Sequence, residues 1–208
     1  MPMLLSPPLP PLLAEALVRV AGRTCALAGP ALRRRLLAQS LPVLPLLVEG
    51  EPESVASRLA AALGGDVVRA EEVVRVVLST AVDGVRAVEL DSLRQPLEEW
   101  LLAQEFTVDA IAWRPAEDAF LDPVSGLADL EVRRVRLVRP DRAAEQPLCA
   151  LRAASLAVEL GGQIADDSAA VLRQHAARIG AALGAAQRDA LVSLLELHAA
   201  ARALRLAD

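Results

Sequence analysis

At 208 residues the chain can bury the core of one domain, or of two small ones at most. A formal net charge of -5 and a sequence pI near 5.2 give no overall basic field for a phosphate backbone, which argues against a nucleic-acid partner. Cys25 and Cys149 lie far apart and in no CxxC or Cys/His spacing, which argues against a zinc site and a disulfide scaffold and reads as two buried small apolar residues. Ala, Leu, Val and Arg dominate, and Lys, Asn and Tyr are absent, a bias we attribute to a GC-rich bacterial coding habit.

The opening MPMLLSPPLPPLLAEAL has no positively charged start and its apolar run is broken by prolines, unlike a signal peptide, so a cytoplasmic protein is expected. No window of about 18 residues is free of charge or proline, and LLAQSLPVLPLLVEG fails as a membrane span on length and proline alike. Residues 1–10 read as a proline-rich segment and 11–208 as a single helical domain.

Pro11 sits near the first turn of a predicted helix, with Gly22 as its stop or kink. ALRRRLL, holding Arg33 to Arg35, reads as a solvated turn. PESVASRLAAALGG opens with a helix-compatible proline and closes on two glycines. RAEEVVRVVLSTAVDGV reads as a further apolar helix. In LEVRRVRLVRP, Val132, Val135, Leu137 and Val138 alternate loosely with arginines, so an extended conformation competes with a helix there. From Ala143 onward Ala, Leu, Arg, Gln and Glu predict helix throughout. Ala150, Ala154, Ala157 and Gly161 share one face there. Asp166, Asp167 or Ser168 can cap the next helix, whose apolar stripe is Leu172, His175, Ile179 and Leu183. The expected fold class is all-α.

Several side chains invite a chemical reading and each has a plainer one. Asp166 and Asp167 are the only adjacent aspartates, yet their place in a linker suits a helix start better than magnesium. His175 lies on an apolar face, and His198 follows Glu196 at a spacing that does not share a helix face, so no metal site is expected. The five arginines from Arg133 to Arg142 form an anion-binding strip on paper, offset by Asp129, Glu131 and Asp141. Trp100 and Trp113 read as core or interface anchors.

From Ser125 the chain resembles the latter half of the trans-isoprenyl diphosphate synthase family. The resemblance rests on Ser125, Gly126 and Asp129 at the family's GQxxDL turn, Arg152 and Ala153 at its KT pair, and Ile179, Gly180, Ala182 and Leu183 at its LGxAF stretch. Its second aspartate-rich motif falls on Gln187, Arg188 and Leu191. Upstream, Leu78, Thr80 and Ala81 match the approach to the first motif, whose paired aspartates fall on Arg86 and Ala87, with Glu89 and Asp91 nearby. Residues 92–124 are too few for the family's middle, and the chain stops short of its last helices. The resemblance implies a trimmed all-α fold without catalytic residues, metal or cofactor, keeping Arg152 and Asp129 as substrate-binding positions. It further implies a catalytically silent subunit that pairs with and modulates an active, full-length prenyl diphosphate synthase, or self-associates. The alternatives are an unrelated all-α interaction or effector-binding regulatory domain, and an enzyme using Asp129, Glu89 and Asp91.

Overall fold

The computed structural model describes residues 9–70, 73–141 and 148–176. Ile179 to Leu191 and His198, which carry part of the sequence reading, lie outside the described residues. The chain divides into two compact units: Met1–Leu101 with Ile111–Pro123, and Leu102–Ala110 with Val124–Asp208.

The first unit starts with helix α1 (Pro11–Ala21), which begins at a proline as expected. It buries Leu13, Ala16, Leu17 and Val20, the i, i+3, i+4, i+7 pattern of one helix face. Strand β1 (Cys25–Ala28) follows, buried throughout. Helix α2 (Gly29–Leu36) turns in Ala31, Leu32, Arg33 and Leu36. Strand β2 (Val43–Val48) alternates, with Leu44, Leu46 and Val48 buried. Helix α3 (Pro52–Leu63) begins at Pro52 and buries Val55, Ala56, Leu59 and Ala60. Complete burial of Leu13, Leu17, Leu44 and Leu59 contributes roughly 1.5–3 kcal/mol for each side chain.

The next segment overturns the predicted helix. Val73 to Ser92 forms a hairpin, β4 (Val73–Val82) and β5 (Val85–Ser92), with β3 (Gly65–Ala70) paired to the outer side of β4. Val74, Val76 and Leu78 are buried while Arg75 and Val77 face outward, the two-residue period of a strand. Val82 pairs with Val85 around Asp83 and Gly84, whose φ angles of 51° and 84° suit a two-residue turn requiring positive φ at both positions. Helix α4 (Leu97–Leu102) and the strands β6 (Ala112–Arg114) and β7 (Ala119–Leu121) complete the sequence order. The resulting sheet runs β3-β4-β5-β2-β1-β6-β7, with β2 and β5 parallel and the other pairs antiparallel.

A seven-stranded sheet is incompatible with the all-α expectation, and the chain is mixed α/β. The prenyl-synthase resemblance and the all-α interaction or regulatory domain fall with it. Alanine- and leucine-rich helices match many helical templates by chance, whereas the β-branched runs that decide this fold look merely apolar when read without their period.

The second unit holds α5 (Gly126–Glu131), β8 (Arg134–Val135), α6 (Cys149–Leu160), β9 (Gln163–Ile164) and α7 (Asp166–Ala176). LEVRRVRLVRP is thus partly extended: Arg134 and Val135 pair in parallel with Gln163 and Ile164, and Leu137 bridges to Phe106. Gly162 makes that pairing feasible, since a methyl group there would overlap the carbonyl oxygen of Arg133. Helix α6 buries Ala150, Ala154 and Ala157 on the expected face. No helix among the described residues is long and apolar enough to cross a membrane.

Candidate functional site

In the first unit the sheet forks. Strand β1 pairs with β2 only through Cys25–Val48 and Ala26–Leu47. Its remaining residues, Leu27 and Ala28, pair instead with Trp113 and Ala112 of β6. Val43 to Leu46 therefore run beyond the ladder with β1, although they stay in parallel register with Ala87 to Leu90 on the other side. Pro45 is tolerated at this place because it has no amide proton to offer an inner strand. At the end of β1 the amide of Gly29 donates to the carbonyl of Ile111 at 2.9 Å, and α2 begins, carrying the buried Arg33 one turn in. A change of strand order beside a helix start is a place where open α/β sheets receive ligands, anions above all.

The exposed face of β2 at the fork presents Val43, Pro45 and Leu47. Beside them on β5 stand Glu89, in register with Pro45, and Asp91, in register with Leu47. Glu89 is bound by the guanidinium of Arg75, whose Nε donates to its Oε1 at 3.0 Å. Glu49, just past β2, accepts from Arg114 at 2.6 Å. Among the described residues no group of three or more His, Cys, Asp or Glu side chains is placed to hold a metal ion. Burial pushes the Cys25 thiol up to about 12, against a smaller opposing influence of Arg114, so a thiolate is not on offer either.

The second unit contains a polar network around Asp129, which is 6% exposed. Thr107 donates its hydroxyl to Asp129 Oδ2 at 2.8 Å, and Arg136 donates Nε to the same oxygen at 3.1 Å. The other side of the Arg136 guanidinium reaches Asp167 Oδ2 at 2.7 Å. The hydrogen bond to Asp129 raises the pKa of Arg136 above its ordinary value, against the opposing effect of burial. At Asp167 burial opposes ionisation, but hydrogen bonds from the amide and hydroxyl of Ser168 and the charge of Arg136 outweigh it and hold the carboxyl below its usual range. Arg134, Arg136, Gln163, Asp166 and Asp167 line an open groove of about 400 Å³.

Asp129 is thus the buried centre of a structural network, while Arg152 lies on α6 and donates Nε to Glu105 at 2.7 Å. Asp129 pairs with Thr107, Arg134 and Arg136, and Arg152 with Glu105. Asp166 and Asp167 open α7, as a helix start should, and Asp167 accepts from the Ser168 amide at 2.6 Å. Trp113 is a core residue whose indole donates to Asp118 at 3.2 Å. The partnership of Thr107 with Asp129 and Arg136 escapes sequence reading because it spans separate segments. The fork at Pro45 does leave a signal, a proline inside a short run of Val and Leu, but that stretch draws attention only as a failed membrane span.

A seven-stranded mixed sheet with helices, followed by a mainly helical unit, is the fold of known tRNA-processing enzymes. The structure superposes on one such tRNA-processing enzyme with a TM-score of 0.80 and 22% identity, over 94% of this chain and 54% of that one. It superposes on the Thermotoga maritima CCA-adding enzyme complexed with tRNA with a TM-score of 0.75 and 20% identity, over 93% of this chain and 48% of that one. In sequence it is 30% identical over 206 residues to the CC-adding tRNA nucleotidyltransferase of Geobacter sulfurreducens. That match covers 97% of this chain and 47% of the relative, so the chain spans about half the length of the curated protein it matches. No family model matches it. These likenesses overturn the prenyl diphosphate synthase as relative, and with it the expected pairing with a full-length synthase. They also remove the ground for excluding nucleic acid: net charge averages over the surface and hides local clusters such as the arginines from Arg133 to Arg139.

Proposed function

We propose that this chain is a tRNA-directed protein that recognises the acceptor end of tRNA. The observation that carries the reading is 30% identity to a CC-adding tRNA nucleotidyltransferase along 97% of the chain. Two features of the structure support it: the fork beside Gly29 and Arg33, and the groove lined by Arg134 and Arg136, whose guanidinium groups suit phosphate and stacked bases. Asp129 and Arg152 serve in this reading to position their neighbours in the second unit, Asp129 by orienting Arg136 and Arg152 by pairing with Glu105. A cytoplasmic location accords with such a role.

The test is fluorescence anisotropy with a 5′-labelled tRNA transcript lacking its terminal CCA, against an RNA hairpin of equal length. Binding should be tighter than the range on the order of 10⁻⁶–10⁻⁴ M typical of non-specific association, should prefer the tRNA, and should weaken as salt rises. Equal affinity for the hairpin, or none for either RNA, refutes the reading.

A further inference from the structure

We propose that this chain holds a tRNA end without extending it, because the fork of its sheet lacks the acidic floor that metal-dependent nucleotidyl transfer requires. The inference rests on the tRNA reading above. In nucleotidyl transfer a ribose 3′-oxygen bonds to the α-phosphorus of a nucleoside triphosphate, the bond to the departing pyrophosphate breaks, and the hydroxyl proton leaves to a base. Charge accumulates on the phosphoryl and leaving oxygens, and polymerase-type sites offset it with divalent cations between attacking and leaving groups. Such hard cations need oxygen ligands, usually one or two carboxylates besides the phosphates.

The residues at the fork do not fit that requirement. Strand β1 brings Cys25, Ala26, Leu27 and Ala28, all buried. The open face of β2 brings Val43, Pro45 and Leu47, two apolar side chains and an imino acid where oxygen ligands would be needed. The neighbouring strand β5 brings Glu89 and Asp91 to the same face. Glu89, however, is bound through both Nε and Nη2 of Arg75, so a resident positive charge stands where a cation would sit. Displacing that guanidinium with a metal would cost its hydrogen bonds and set two positive centres against each other. Asp91 then remains as one carboxylate beside an apolar floor. The features present at the fork are a change of strand order, a helix start and the arginines Arg33 and Arg75, which suit binding rather than metal-dependent chemistry.

The experiment uses the full chain, with its fold confirmed by circular dichroism, and three readouts. Binding of a tRNA transcript lacking CCA is measured by anisotropy. Incorporation of radiolabelled CMP and AMP into that transcript is measured with magnesium or manganese at protein concentrations that saturate binding. Manganese alone is titrated and followed by electron paramagnetic resonance. The expected result is tRNA binding with incorporation at background, about 10³-fold or more below a full-length CC-adding enzyme run alongside, and no saturable manganese site. Templated extension of the bound tRNA overturns the inference and leaves the tRNA reading standing. So does a saturable manganese site that is lost in Glu89→Gln. Absence of tRNA binding overturns the functional reading itself, and this inference with it.

Discussion

Removing the Asp129 carboxylate should destabilise the chain by a calculable amount. In Asp129→Ala the Thr107 hydroxyl, on a residue only 2% exposed, loses its acceptor at 2.8 Å. A hydrogen bond to an ionised group contributes about 1.5–3 kcal/mol, and a buried donor left unsatisfied retains the cost of desolvation. The bond from Arg136 adds less, because that side chain is 34% exposed and keeps Asp167 as a partner; solvent screening limits it to about 1 kcal/mol. The expected loss is therefore about 3 kcal/mol, or roughly 6–12 °C in the midpoint of the transition. Urea unfolding followed by far-ultraviolet circular dichroism, with linear extrapolation, measures it. Thr107→Val alone should cost about 1.5 kcal/mol, and the double variant should cost less than the two single losses together, since they share one bond. A loss below about 0.5 kcal/mol in Asp129→Ala, or strict additivity in the cycle, would refute the claim that this bond holds the network.

The other expectations concern separate parts of the molecule. Gly162→Ala should cost roughly 2 kcal/mol or more, because the new methyl group must push the Arg133 backbone off β9; a wild-type melting curve would show that the pairing is looser than described. Leu44→Ala, fully buried in β2, should lower stability by about 3 kcal/mol in the same urea assay, and a loss under 1 kcal/mol would place Leu44 outside the core. Asp167 titrates below its ordinary range in the folded chain, so its contribution is complete above roughly pH 4 and is lost as pH falls through the folded value. Asp167→Asn should accordingly lower the melting temperature modestly at neutral pH and flatten its decline below pH 4, with an unaltered acid profile counting against the pairing. Cys25 and Cys149, buried with thiols pushed up to about 12, should resist a disulfide-exchange reagent at pH 8 until the chain is unfolded, and prompt labelling of either would contradict its burial.

What the sequence reveals here depends on how local its signals are. Pro11 and Pro52 mark helix starts correctly because proline fixes φ and gives up an amide that the first turn does not use. Asp166 and Asp167 mark a third start by a different local effect, carboxylates that accept from free first-turn amides and favour the positive end of the helix dipole. The hairpin from Val73 to Ser92 is legible in principle: Asp83–Gly84 is a strong two-residue turn signal, and Val74, Val76 and Leu78 keep a period of two. The helical expectation there weighs the apolar content of the run and passes over its period. Strand β1 is different in kind, since four residues reading Cys-Ala-Leu-Ala have no period to read and become a strand only through Val48 and Trp113 on either side. The site is less legible than the fold for that reason. Its fork exists only in the register of three strands, and the Asp129 network ties residues 22 positions apart in sequence.

The fork also acts mechanically. Because β1 gives two residues to β2 and the next two to β6, the outer pair β6-β7 meets the remaining five-strand portion through two residue pairs, with the Gly29–Ile111 hydrogen bond and the Arg114–Glu49 ion pair beside them. Separating Leu27 and Ala28 from β6 would leave the β2-β5 and β4-β5 ladders intact, so this edge should open locally before the rest of the sheet. Amide hydrogens of Ala112 to Arg114 should then exchange with solvent through this partial opening, well before those of Val74 to Val77, whose release requires the larger sheet to come apart.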